Sequence, residues 1–533
     1  MATQSNSTVE KSDKEKSTGL LRAGIIVSAM TFLSRILGLV RDVVVARLMG
    51  DGAAADVFFL VNKIPNFLRR LFAEGAFAQA FIPVLTEQQA KKDNAALIEF
   101  IGKVTGTLGI IVFFTAIVGV IGSPVIAALF GTGWFIDYLN NEPEGAKFEL
   151  AAVMLKITFP YLFFVALTAL SGAILNAVNK FSVAAFTPVL LNIAIISCAV
   201  FLSPRFEEPA FGLAWGVFIG GVIQLAFQIP FLLKQGLLVK PSWGWSHPQV
   251  TKVRRLMIPA LFGVSVSQIN LLLDTLIASF LVTGSISWLY YSDRLLEFPL
   301  GLFGIAIATV ILPTLSRNHI GNNPKAFQQN IDWAVRAVCF VGFPAAAGLG
   351  VLAEPILKVI FERGAFTSET AIMASFSLTA YAMGLVGFML VKVLAPGFFS
   401  RQDTKSPVKF GIICMVANMV FNLILVVPLA YIGLALATSL SGLLNAGLLY
   451  YALRRDKVYV LSLQTKKFIL RSLISTALMV LVLRIAMNNS GFITANSLEQ
   501  VILLASGVLG AGLIYIISSF FVGIRPRQLK PAL

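Results

Sequence analysis

The chain has 533 residues, of which 57% are hydrophobic and 13% charged, with a mean hydropathy of +0.83. Soluble globular domains of that length do not carry so little charge. Apolar runs of about 20 residues recur from end to end, the mark of a polytopic all-α membrane protein, and the lack of period-two alternation excludes a β-barrel.

In chain order, residues 1–18 are rich in Ser, Lys and Glu and are expected to form a disordered cytoplasmic tail. No small-residue cleavage site closes the first apolar run, so it is expected to stay as a helix. Fourteen membrane helices are predicted, at roughly 20–48, 53–88, 95–130, 149–176, 182–203, 209–234, 253–283, 286–316, 327–361, 368–400, 405–428, 432–454, 466–488 and 497–523. Lys and Arg gather after the even-numbered helices, as in Lys180, Lys240, Arg254, Arg255, Arg401 and Lys405. The odd-numbered loops hold chiefly acids, including Glu142, Glu207 and Glu208. The positive-inside rule therefore places both termini in the cytoplasm. Most of the formal net charge of +16 reflects this bias and attraction to a membrane surface. No soluble segment is long enough for a nucleic-acid-binding role.

An internal repeat is visible. SPVIAALFGTGWF (123–135) resembles EPILKVIFERGAF (354–366), FIPVLTE (81–87) resembles ILPTLSR (311–317), and the run at 186–202 echoes that at 405–421. The shift corresponds to six helices, so two pseudo-symmetric six-helix lobes are expected, with a last helix pair outside the repeat. The expected divisions are 19–240 for the first lobe, 241–460 for the second, 461–524 for the extra pair and 525–533 for a cytoplasmic tail. Transporters built this way bind substrate between the lobes and expose it alternately.

The chemistry is concentrated in a few charges within apolar runs. Asp56, Lys63, Arg70 and Glu74 fall within about 40° of one another on an ideal helix, with Arg69 beside them, although Pro65 should interrupt that helix. Each charge facing lipid would cost at least ~2.5–3.5 kcal/mol, so such groups turn toward a bundle interior or a wet pathway. A ladder of structural ion pairs is the alternative. Arg69 and Arg70, together with Arg35 and Arg41 of SRILGLVRD, leave the first two helices with a cationic surplus suited to an anion, and Arg suits phosphate. Asp42 could neutralise Arg41.

In YYSDRLLEFP, Asp293, Arg294 and Glu297 either pair along their helix or form ion pairs that break on gating. Lys392 stands alone in its apolar run. Asp274, near Gln268 and Asn270, is a candidate ligand for a coupling cation. Trp243 and Trp245 are expected as interfacial anchors. Cys198, Cys339 and Cys414 lie in separate apolar runs, as packing residues. No zinc spacing, P-loop or nucleophile elbow is present in a credible context, so neither an enzyme, a metal site nor a cofactor is expected.

The blocks SRILGLVRD (34–42), NFLRRLFAEGAFAQAFIPVL (66–85), YYSDRLLEFPLGLFGIAIATVILP (290–313) and VKVLAPGFFSRQD (391–403) closely resemble the MurJ/MviN family. These are lipid II flippases of the multidrug/oligosaccharidyl-lipid/polysaccharide exporter superfamily. The resemblance implies fourteen helices, a cationic cavity that opens alternately to either side, and a groove on helices 13 and 14 for the polyprenyl tail. It implies a substrate, lipid II, moved from the inner to the outer leaflet of the bacterial inner membrane. It also implies substrate-facing roles for Arg35, Arg41, Arg69, Arg70, Arg294 and Lys392. The expected setting is a monomer among membrane lipids, with the cell-wall synthesis machinery as a further partner. Two rival transport readings are an O-antigen-type flippase and a cation-coupled drug antiporter. A drug antiporter should line its cavity with carboxylates and aromatics, and the Arg-rich first lobe argues against it. A membrane-embedded polyprenyl-phosphate transferase would need a carboxylate cluster poised for Mg²⁺, whereas the intramembrane acids here alternate with bases.

Overall fold

The computed structural model describes residues 2–70, 76–91, 93–321, 323–489, 491–492 and 496–530, and no strand occurs among them. The helices group into two compact units, Met1–Met49 with Ala53–Gln268, and Gly50–Gly52 with Ile269–Leu533. The division falls at Gln268, inside a helix, whereas the lobe boundary expected from the repeat was at residue 240. The connecting segment stays with the first unit because Leu237, Val250 and Val253 are buried in its core with Phe81, Phe100 and Leu232.

The first unit opens with α1 (Ala2–Met49). It is helical through the polar stretch expected to be disordered; no Gly or Pro occurs before Gly19 to break it. The second predicted span is broken into α2 (Ala53–Leu68), a π-helical turn at Arg69–Arg70, and α3 (Ala76–Ala90). Pro65 lies within α2, and the break comes after it. The third span is α4 (Asn94–Ile121), capped by Asp93 through the N–H groups of Ala95 and Ala96, followed by α5 (Ser123–Phe130). Pro124 explains that restart, since its missing N–H costs nothing in a first turn. Next come α6 (Thr132–Leu139), α7 (Ala146–Thr158), α8 (Tyr161–Ala177), α9 (Phe181–Phe201) and α10 (Ala210–Lys234). The helix α11 (Pro248–Ala278) begins in this unit and ends in the other.

The second unit repeats the pattern. Its broken span is α12 (Ser285–Pro299), a π-helical stretch at Leu300–Gly304, and α13 (Ile305–Ile320). Then α14 (Pro324–Val351), capped by Asn323 through the N–H of Ala326, leads into α15 (Ala353–Phe361). After α16 (Ser368–Leu394) and α17 (Pro396–Phe399) comes α18 (Lys405–Arg455), whose two arms meet at Ala430, φ 48°. The arms match the separate helices predicted at 405–428 and 432–454. Gly433 is required there, because a Cβ would lie 2.3 Å from the Leu425 carbonyl oxygen. The chain closes with α19 (Leu463–Asn489) and α20 (Ser497–Phe521).

Ten of the described helical spans are long and apolar enough to cross a membrane by length and composition. The second arm of α18, together with α1, the pair α2 and α3 counted as one span, and α11, completes the fourteen. Lipid gives little hydrophobic drive between helices, so close packing relies on small residues. On α16, Gly384 lets Ser439 approach so closely that a Cβ would sit 2.6 Å from its Cα. The pair α19–α20 is held by Met479, Leu483, Leu504 and Tyr515 against Leu352 at the end of α14. Outward faces carry exposed Phe113, Phe114 and Val118 on α4 and Leu509, Ile516 and Phe520 on α20, a surface suited to hydrocarbon.

Candidate functional site

Two polar groupings stand out, one in each unit. In the first, Asp42 is 1% exposed yet carries a carboxylate. Its Oδ1 accepts from Arg41 Nη2 at 2.7 Å and Nε at 3.0 Å. Such pairing offsets the cost of sinking a charge in an apolar bundle. The remaining arm of the guanidinium, Nη1, donates to Asn192 Oδ1 on α9 at 3.1 Å. Asn192 in turn donates from Nδ2 to the Ser34 carbonyl at 3.1 Å, so one amide fixes both the arginine and the α1 backbone. Arg35, one residue beyond Ser34, is exposed.

On α2, Asp56 is buried and Lys63 half-buried. Arg69 is half-buried, its Nε donating to Asn66 Oδ1 at 3.2 Å, and Arg70 is exposed. The expected single stripe needs correction: regular helical spacing ends at Leu68, so only Asp56 and Lys63 keep it. Arg70 lies in the π turn, and Glu74 lies outside the described residues.

In the second unit, Arg294 forms its ion pair along α12, donating from Nη1 to Glu297 at 2.8 Å and from Nη2 to the Tyr290 hydroxyl at 3.1 Å. Asp293 beside it is half-buried. Lys392 on α16 is exposed next to buried Val393 and Leu394.

Asp274 gathers a second cluster. Its Oδ1 accepts from Asn422 Nδ2 at 2.6 Å, and Oδ2 accepts from Thr438 Oγ1 at 3.4 Å. Asn418, with its amide nitrogen turned inward, reaches Asn270 Oδ1 at 3.0 Å and Asp274 Oδ1 at 3.1 Å. Asn270 and Asp274 are four apart on α11, as are Asn418 and Asn422 on α18, so each pair shares a helix face. The set surrounds one carboxylate chiefly with amide N–H and hydroxyl donors, with the Asn422 Oδ1 as a further buried oxygen. A single carboxylate carries too little negative charge for a divalent cation, so a monovalent one is the only kind it could suit. Among the described residues no group of three His, Cys, Asp or Glu could hold a metal ion.

Asn192, Asn418, Asn422 and Thr438 were not among the expected site residues, because the search through apolar runs was for ionisable groups. Uncharged amides in those runs carry the same signal more weakly, since an unpaired amide in hydrocarbon also costs several kcal/mol.

Fourteen helical spans, with Arg69, Arg70 and Arg294 at or beside the breaks in two of them, define a polytopic membrane transporter of the exporter type. The match is specific. A family model described as "Lipid II flippase MurJ" aligns with residues 45–508, and the chain belongs to that family. A Vibrio cholerae protein described as "Probable lipid II flippase MurJ" is 56% identical over 514 residues, covering 96% of this chain and 98% of that one. A solved structure described as "Lipid II flippase MurJ, inward closed conformation" matches with a TM-score of 0.77 at 29% identity, covering 93% of this chain and 98% of that one. An inward-facing multidrug transporter of the MATE family matches with a TM-score of 0.67 at 13% identity, covering 81% of this chain and 98% of that one, a likeness of fold alone.

Proposed function

We propose that this protein carries lipid II from the inner to the outer leaflet of the bacterial cytoplasmic membrane by alternating access, forming and breaking no covalent bond. The observation that carries the proposal is family membership over residues 45–508, supported by the arginines of α1 and of the turn after α2, of which Arg41 and Arg69 are half-buried. A diphosphate crossing hydrocarbon loses its water, and guanidinium groups replace part of that solvation through paired N–H donors. Arg35, Arg41, Arg69, Arg70, Arg294 and Lys392 would face the anionic headgroup at different stages. Asp56, Lys63, Asp293 and Glu297 would exchange partners as the lobes rock. The α19–α20 pair, outside the repeat, would hold the polyprenyl tail. The Asp274 cluster would take the coupling cation, with the membrane potential biasing charge movement.

The test is depletion of the protein in cells with no other flippase, using an enzymatic probe that reads lipid II outside the inner membrane. The precursor should stay inside, and neither Arg41→Ala nor Arg70→Ala should restore externalisation. Undiminished externalisation after depletion would overturn the assignment.

A further inference from the structure

The segment between α10 and α11 is a built strap, and its outward face has no part in the carrier chemistry above. It leaves α10 through Gly236, φ 66°. Leu237 points inward into the first unit's core. The strap then lies flat along α4. Ser242 N donates to the Gly102 carbonyl at 3.0 Å, Gly244 N donates to Thr107 Oγ1 at 3.0 Å, and Lys103 Nζ donates to the Trp243 carbonyl at 3.3 Å. Gly106 makes the approach possible, since a Cβ there would stand 2.3 Å from the Ser242 carbonyl oxygen. The small-xxx-small spacing of Gly102 and Gly106, usual between two helices, here seats extended backbone.

What the strap presents is a pair of indoles. Trp243 and Trp245 stack nearly parallel, with centroids 6.1 Å apart at 8°, and the Arg254 guanidinium lies over the Trp245 ring, 3.8 Å from its centroid. Although held this firmly, Trp243 is 52% exposed and Trp245 42%. Rigid indoles left open to the surroundings are costly unless something covers them. The residues from Lys234 to Arg255 include five cations and no carboxylate. Exposed Lys240 and Arg255 stand in that segment with exposed Leu238 and Leu256. The strap meets α4 where its last charge, Lys103, gives way to the uncharged run Val104–Ile121. That is the level of a membrane's polar boundary, where indoles and basic side chains prefer to lie.

We infer that the strap is a binding site for anionic phospholipid, with Trp243 and Trp245 seated among the glycerol and upper acyl groups and Lys240 and Arg255 on the headgroup phosphate. The aromatic pair anchors the lipid, and the cations select its charge. A sugar diphosphate stacked on the indoles is the competing occupant. The exposed leucines beside the cations favour a lipid, because a sugar would leave them uncovered.

The experiment is native mass spectrometry of the full-length protein in detergent with phosphatidylglycerol or phosphatidylcholine added. The wild type should retain phosphatidylglycerol in preference. Lys240→Gln with Arg255→Gln should reduce that preference by about twenty-fivefold, at about fivefold per basic residue near an anionic surface. Lys240→Arg with Arg255→Lys should restore it. Trp243→Ala with Trp245→Ala should lower retention of both lipids, whereas the corresponding Phe substitutions keep it. An unchanged preference in the Gln variant would overturn the inference. So would displacement of the retained lipid by UDP-N-acetylglucosamine, which would make the strap a sugar-phosphate site. Since neither readout involves transport, failure here leaves the flippase assignment standing, and the reverse also holds.

Discussion

Asn192 gives the sharpest test of how the arginine grouping works. Its amide accepts from Arg41 Nη1 and donates to the Ser34 carbonyl, each at 3.1 Å, and the residue is 6% exposed. Asn192→Ala removes both bonds. A bond to a charged group contributes about 1.5–3 kcal/mol in water-soluble proteins, but interhelical bonds in membranes average about 0.6 kcal/mol. A loss of about 1–3 kcal/mol follows, read as a lower thermal midpoint of the purified protein.

Asn192→Asp discriminates further. It keeps an acceptor for Arg41 but adds a carboxylate, so Arg41, Asp42 and residue 192 together go from neutral to one negative charge. At an effective dielectric of about 20, an anion held about 4 Å from that carboxylate meets about 4 kcal/mol of repulsion, close to a thousandfold in occupancy. The Asp variant keeps the Arg41 bond and, like the Ala variant, loses the one to Ser34, and it should export far less lipid II in depleted cells than the Ala variant does. If Asn192→Asp restores externalisation as well as the wild type, Arg41 is a structural pair with Asp42 and meets no anion.

Gly433→Ala should lower stability by about 1–3 kcal/mol, the usual cost of overpacking, since its Cβ would collide with the Leu425 carbonyl, whereas Gly447→Ala, with nothing within 4 Å, should change thermal unfolding little. Asp274→Asn should abolish any stabilisation of the purified protein by sodium chloride over choline chloride, if the cluster with Asn422 and Thr438 takes a monovalent cation; equal stabilisation of both proteins by sodium would exclude that role. Asp403, in the turn before α18, has its carboxyl raised by partial burial but held lower overall by the Ser406 side chain and N–H, Arg401 and the Lys405 N–H. A carboxyl lowered on folding stabilises fully above its unfolded value of about 3.9 and loses that effect as pH falls through the lower folded value. Amide exchange at Ser406 should therefore accelerate only below about pH 4 in the wild type, and should be fast and independent of pH-linked opening in Asp403→Asn.

The helical spans were legible because membrane-length apolar runs have few alternatives. The boundary inside α18 was legible too, since Pro428 and Gly433 punctuate one long apolar stretch. Arg41 and Asp42 announced themselves as charges out of place. Their third partner did not, because Asn192 lies 151 residues away in sequence and an amide in an apolar run disturbs composition far less than a charge. The strap was hidden for a different reason. Trp243 and Trp245 suggested a membrane boundary, but the seat that aligns them is on α4 at Gly102 and Gly106, and two glycines four apart in an apolar run do not tell whether they admit a helix or a loop. The stripe loses its regular spacing at Arg70 because ideal helical angles were carried past Leu68 into the π turn at Arg69–Arg70.

That change of winding follows the repeat and not the prolines. Pro65 and Pro299 lie close to the two breaks and would be the obvious causes, but they stand 234 residues apart. The blocks at 81–87 and 311–317 fix the local repeat at 230 residues, and that shift carries Leu300–Gly304 onto 70–74, beginning within the Arg69–Arg70 turn. The same shift carries the Asp93 cap onto the Asn323 cap and Ala96 onto Ala326, the residue whose N–H each cap receives. A kink made by one proline would keep that proline's register. Breaks that keep the register of the duplicated sequence were present before the two prolines diverged in position, or were selected at the same place twice. In both units ionisable groups gather at this point, Arg69 and Arg70 within the turn and Arg294 and Glu297 in the turn before it. π-helical insertions lower local hydrogen-bond order and concentrate at functional positions. A rod that must present charge within hydrocarbon, and change which side that charge faces, has physical reason to be weakest there.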